Sequence, residues 1–156
     1  MKQSRNDYPL TLLYDGACPI CRLEMDRLAQ LDGLRRLAFV DIALPGFDAA
    51  KYGAKVEDMQ RLIHAVRPDG TLVVGVEVFR LAYGAVGWGL LFAPTALPGV
   101  SSIAERAYAV FARNRYKVSA LLQPLLARMA AAQAARRTAG ACAGDVCEST
   151  NERTAS

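Results

Sequence analysis

The alternation of apolar and polar positions divides the chain into short, distinct elements. Leu10-Thr11-Leu12-Leu13-Tyr14 is an apolar run ended by Asp15-Gly16, the pattern of a strand buried on both faces. From Pro19 to about Leu31, Ile20, Leu23, Leu28 and Leu31 keep helical spacing while Glu24, Arg27 and Gln30 fall on the opposite side. Pro19 suits the first helical position because its missing N–H has no partner there in any case. Asp32-Gly33 ends this helix, and residues 37–42 read as a second buried strand. A crossover joins the two strands, so they are expected to run parallel.

Residues 43–60 hold Pro45, Gly46 and Gly53 among weak helical fragments, which predicts an irregular connection with a helical turn near Val56 to Met59. Two β-rich runs, 62–66 and 71–74, flank Arg67-Pro68-Asp69-Gly70, a tight-reversal sequence that predicts a hairpin. A helix is expected from Glu77 to about Val86. Ser102-Ile103-Ala104-Glu105 reads as a capping box opening another helix through Ala112. A further helix is expected over Arg115 to Leu122, with Pro124 as its break. Residues 125–137 are alanine-rich and helix-permissive, and small and polar residues dominate from 138 onward.

The order β-α-β followed by β-β-α is that of an α/β, thioredoxin-like core. The expected sheet is mixed, with the hairpin antiparallel to the first two strands, and additional C-terminal helices extend the core. The domain reading is an N-terminal extension over 1–9, a thioredoxin-like domain over 10–137 and a flexible, cysteine-containing tail over 138–156. At 156 residues and 53% hydrophobic composition, the chain suits one domain with a sizeable core.

One stretch tests this reading, because no charged residue occurs from Leu81 to Ala104, about the length of a membrane span. Four glycines and two prolines divide it into pieces too short to cross. It is expected to form a helix end and a loop covering the core, with no membrane span. The polar first seven residues lack a signal-peptide core, so the expected compartment is the cytoplasm. There, closely spaced cysteines favour catalysis or metal binding over structural disulfides.

The net charge of +4 is uneven: between Glu105 and Asp145 every charged residue is basic. Such a run can serve as a partner surface, but it lacks the interleaved aromatic and polar pattern of a nucleic-acid reader. The expectation is a solvated helical face and no nucleic-acid partner.

The chemistry gathers at Cys18-Pro19-Ile20-Cys21. Two cysteines one helical turn apart can close a disulfide with little change in the helix. Cys18 falls at the helix cap, where free backbone N–H groups and the helix dipole favour a thiolate, and is the expected nucleophile. Cys21 lies deeper, on the apolar stripe of Met25 and Leu28, and is the expected resolving thiol, less exposed than Cys18. Asp15, three residues before Cys18, has two readings: a proton carrier for Cys21, or a cap for the Gly16-Ala17 turn and the helix N–H groups. Arg22 reads as a solvent-facing cation close to the thiols.

Cys142 and Cys147 leave three alternatives open. They complete a four-thiolate zinc site with Cys18 and Cys21, relay electrons to that pair by exchange, or stand as spectators in the tail. A redox-switched interaction module with docking basic helices is a further reading. His64, the only histidine, and Trp88 are assigned to packing.

Asp15-Gly16-Ala17-Cys18-Pro19-Ile20-Cys21 resembles the DCC family of thiol-disulfide oxidoreductases, which share an Asp-x-x-Cys-x-x-Cys motif near the N-terminus. Phe39-Val40-Asp41-Ile42, Pro45-Gly46-Phe47-Asp48, Asp69-Gly70 with Gly75, and Phe111-Ala112-Arg113-Asn114-Arg115 are similar to family segments in the same order. The resemblance spans about residues 10 to 122. It implies a thioredoxin-like fold with Asp15, Cys18 and Cys21 as functional residues, and supplies no substrate; the leading reading, a thiol-disulfide oxidoreductase acting through Cys18 and Cys21, needs no cofactor and takes protein or small-molecule thiol or disulfide clients. Thioredoxins and glutaredoxins also carry a proline just before the third strand, whereas Gln60-Arg61-Leu62 has none.

Overall fold

The computed structural model describes residues 8–141, with side chains over 8–136. Its framework is a four-stranded mixed sheet of order β2-β1-β3-β4. The strands are β1 (Leu10–Tyr14), β2 (Leu37–Asp41), β3 (His64–Val66) and β4 (Leu72–Val74). β1 pairs parallel with β2, Leu12 opposite Phe39, and antiparallel with β3, Leu12 opposite Ala65. β3 pairs antiparallel with β4. Only the first arm of the hairpin therefore opposes β1, and β4 runs parallel to it, which corrects the expectation that both arms oppose the first two strands.

Because successive strand side chains point to opposite faces, β1 serves two cores at once. Leu10 and Leu12 pack on one face with Met25 and Leu28 of helix α1 (Pro19–Leu31), and with Val78, Leu81 and Ala82 of α3 (Val76–Ala85). Leu13 points the other way, into a smaller cluster with Ile42, Ala49 and Met59. That cluster is built by the connection after β2, which holds a 3-10 turn (Ala49–Tyr52) and α2 (Val56–Arg61). β1 is thus the central buried strand its sequence predicts. β2 is not buried: all five of its residues are half-exposed, because it forms the sheet edge and its partner lies on one side only.

The expected capping box is absent. Helix α5 starts at Val100 behind Gly99 and runs unbroken to Leu121, merging the two helices predicted over 102–112 and 115–122. Glu105 reaches out of its own helix, and both its carboxylate oxygens accept from the Val76 backbone N–H at 3.1 and 3.3 Å. It therefore caps α3, whose N-cap is Gly75 and whose first turn offers free N–H groups. Gly75 has φ +77°, a backbone conformation that favours glycine.

The chain breaks at Leu122, and Pro124 sits in the first turn of α6 (Gln123–Ala141). α6 turns back to pack against α1. The predicted helix-permissive stretch 125–137 lies within it, and most of the expected tail lies outside the described residues.

The uncharged segment 81–104 forms the end of α3, a single turn α4 (Gly89–Phe92), a 3-10 turn (Ala93–Ala96) and the start of α5. Phe92 packs on Phe79 and Tyr83. Leu90, Leu91, Leu97 and Ile103 stay exposed, so the segment covers the core only in part. No helix among the described residues is long and apolar enough to cross a membrane.

Candidate functional site

The site forms where β1 ends and α1 begins. Asp15 turns the chain: its Oδ1 accepts the Ala17 N–H at 3.0 Å, and its carbonyl accepts the Cys18 N–H at 3.2 Å. Gly16 crosses the turn against Asp41 at the end of β2, whose Oδ1 accepts the Gly16 N–H at 2.8 Å. A Cβ on Gly16 would fall 1.9 Å from Asp41 Oδ2, so any larger residue must displace the carboxylate that holds the turn. Cys18 is then the N-cap of α1, in extended conformation, with Pro19 opening the helix.

Both sulfurs are free thiols, and their surroundings differ in a way the spacing does not predict. Cys18 is the more deeply placed, with 0% of its surface exposed, whereas Cys21 is half-buried. The cause lies a hundred residues along the chain. α5 crosses the junction, and Ser119, itself buried, places its Oγ 3.9 Å from Cys18 Sγ. The expectation that Cys21 is the less exposed thiol is thereby corrected. Cys21 instead borders a cavity of about 400 Å3 between α1, α5 and α6, walled by side chains such as Met25, Phe79, Phe111 and Met129.

The same contacts set the acidities. Cys18 is pulled down from the ordinary thiol range to about 6. The hydrogen bond from the Cys21 thiol contributes most, followed by the Cys21 backbone N–H, the Ser119 hydroxyl and the Arg115 charge, all against burial. Cys21 is pushed up, because its proton is held in the bond to Cys18, because it is buried, and because the Cys18 charge opposes a second anion beside it. The two shifts are opposed, Cys18 toward the thiolate and Cys21 toward the thiol.

α5 also supplies the cation. Arg115 is 7% exposed and pairs through Nη2 with Asp15 Oδ2, while its Nη1 donates to the Gln60 carbonyl. Tyr116 donates to the same Asp15 oxygen. Tyr108, two turns of α5 before Arg115, accepts the Ile63 N–H at 3.0 Å and is pushed up to about 12 by burial. Arg22 is exposed, so the positive charge close to the dithiol is that of Arg115.

The structure thus brings Asp15, Cys18 and Cys21 together and adds Arg115, Tyr116 and Ser119, which the reading of the sequence did not assign to the site. The signal for Arg115 was its place in the Phe111–Arg115 segment; Ser119 had none. His64 is buried on β3 with Nδ1 2.9 Å from the Leu62 carbonyl. Trp88 is half exposed with the Arg27 guanidinium over its ring, so it is not a core residue. Among the described residues no group of three or more His, Cys, Asp or Glu is placed to hold a metal ion. Cys142 and Cys147, on which the zinc and relay alternatives depend, lie outside the described residues.

Comparison with known proteins gives the same direction. A family model described as DCC1-like thiol-disulfide oxidoreductase matches residues 12–121. A protein of Arabidopsis thaliana described as uncharacterized and chloroplastic is 31% identical over 115 residues, covering 72% of this chain and 54% of its own length. The chain thus spans about half of that relative. No solved structure matches it significantly.

Proposed function

The chain belongs to the DCC1-like thiol-disulfide oxidoreductase family, and from that premise we propose that Cys18 and Cys21 are its working dithiol, with Cys18 the nucleophile and Cys21 the resolving thiol. The observation that carries the reading is the placement of Cys18 at the N-cap of α1 with Cys21 one turn on, under the Ser119 hydroxyl and beside the Arg115–Asp15 pair, an arrangement in which the Cys18 pKa is lowered and that of Cys21 raised. At neutral pH Cys18 is then a thiolate, the species that attacks disulfides.

In the forward exchange the Cys18 thiolate attacks one sulfur of a client disulfide, forming a mixed disulfide and expelling the other client sulfur. The Cys21 thiol then loses its proton and attacks Cys18 Sγ. The Cys18–Cys21 bond forms and the second client sulfur departs. The client gains two electrons, and the proton of Cys21 leaves with a client sulfur. Asp15 serves as a positioning residue: it shapes the turn before Cys18 and holds Arg115 beside the sulfurs. Its carboxylate is committed to Arg115, Tyr116 and Ala17 N–H, which favours this role over that of proton carrier.

Cys18 is covered by α5, so attack on a client requires the turn at Ser119 to shift. The test is a pair of variants. Cys18→Ser is expected to lose disulfide reduction altogether, and Cys21→Ser to accumulate a mixed disulfide through Cys18, read by mass after alkylation. Wild-type activity in either variant would overturn the assignment.

A further inference from the structure

Helix α5 has an outer face that the dithiol does not use. Its inner face is marked by the buried Ala112, Arg115 and Ser119. At about 100° per residue, Ile103, Arg106, Val110, Arg113, Lys117 and Leu121 fall within an arc of about 80° on the opposite side. All six are exposed, Ile103 by 69%, Val110 by 51% and Leu121 by 81%. Single exposed apolar side chains are ordinary on a protein surface. Three large aliphatic side chains in line along about five turns, with basic residues between them, form a continuous stripe of mixed character.

The cations on the stripe are unclaimed within the protein. Among the described residues, Arg106, Arg113 and Lys117 pair with no carboxylate, and Glu105, the acidic residue of α5, is turned away to the Val76 N–H. The stripe also begins where the uncharged segment 81–104 ends, and Leu97 and Val100, just before it in sequence, are exposed as well. A fitting partner is therefore anionic and takes up aliphatic side chains. A nucleic acid answers the charges but leaves Ile103, Val110 and Leu121 idle. A helix packed along the stripe buries Arg106 and Arg113 in its seam, where apolar residues belong. An anionic bilayer answers both: aliphatic tips enter the boundary between head groups and acyl chains, while arginine and lysine heads reach the phosphates along their apolar stems.

We propose that the outer face of α5 docks this protein flat on a membrane surface rich in acidic phospholipid. The helix lies on the bilayer and does not cross it, in keeping with the lack of any long apolar helix among the described residues. The inner face of the same helix covers Cys18 and holds Asp15, so the dithiol stands on the far side of α5 from the lipid. The docking surface and the dithiol reading are independent, and either stands without the other.

The experiment sediments the full-length protein with vesicles of equal parts phosphatidylcholine and phosphatidylglycerol, and with vesicles of phosphatidylcholine alone. The expected result is binding to the acidic vesicles, weakened as salt is raised, and none to the neutral ones. Arg106→Gln, Arg113→Gln and Lys117→Gln are each expected to weaken binding about fivefold, the effect of one basic residue close to such a surface. Ile103→Ser combined with Leu121→Ser, checked for folding by melting temperature, is expected to weaken it about tenfold or more by removing the inserted apolar tips. No binding to the acidic vesicles, or equal binding to both kinds, would overturn the proposal. So would undiminished binding by the serine variant, which would leave α5 a solvated basic face. Duplex DNA bound more tightly than the acidic vesicles at the same salt would overturn it in favour of a nucleic-acid partner.

Discussion

The strand–helix junction at residues 14–21 and helix α5 meet at one pair of sulfurs but contribute differently. The junction is local: a strand end, a turn closed by Asp15 and Gly16, and a helix start place Cys18 and Cys21 one turn apart. Such a junction alone leaves the first cysteine open to solvent and favours its thiolate through the Cys21 thiol and backbone N–H. α5 arrives from a hundred residues away and changes both properties. Through Ser119 it covers Cys18, and through Arg115 it adds a buried positive charge. The junction determines which sulfurs can pair and contributes most to the acidity of Cys18; α5 adds to that acidity and determines what can reach the sulfur.

Removing the link between the two regions has the largest expected effect. Arg115→Met leaves the Asp15 carboxylate buried without its cation, and breaking such a pair costs about 3–5 kcal/mol. The variant should show a lowered urea midpoint together with a raised Cys18 pKa; an unchanged midpoint would mean that α5 is not fastened at Asp15. Breaking the junction alone comes next. Gly16→Ala forces a methyl group into the Asp41 carboxylate, with an expected loss of about 1–3 kcal/mol, and a melting temperature equal to wild type would contradict the close approach. The smallest effect is expected from Ser119→Ala, which keeps the fold but removes one hydrogen bond to the Cys18 thiolate. Its alkylation midpoint should move upward by a fraction of a pH unit while bulky maleimides react faster than with wild type. A downward shift would assign the acidity elsewhere.

The legible part of the molecule was the part governed by short-range rules. β1, α1, the Asp69-Gly70 hairpin and the paired cysteines each announce themselves within a dozen residues, through alternation, helical spacing or turn chemistry. Arg115 did not, because a basic run reads as a solvated face until its carboxylate partner is known, and Asp15 lies far away in sequence. Glu105 misled for the same reason: Ser102 and Glu105 have capping-box spacing, yet the carboxylate finds the open amino end of α3. The relative exposure of Cys18 and Cys21 was equally illegible, since it depends on which helix lies over the junction. Where the long-range contacts did leave a trace, as in the Phe111–Arg115 segment, it came through family resemblance and not through local pattern.

The central claim is that Cys18 is the ionised sulfur of the pair, and the pH dependence of its alkylation tests it most directly. The reduced protein is treated briefly with iodoacetamide between pH 4 and 10, and each cysteine is followed by peptide mass. A thiolate whose pKa is lowered to about 6 reacts increasingly as pH rises through that value and is protected below it. The account predicts that midpoint for Cys18, with Cys21 unreactive until far more alkaline conditions. Cysteines 18 and 21 titrating together near the ordinary thiol value, or Cys21 reacting first, would contradict it.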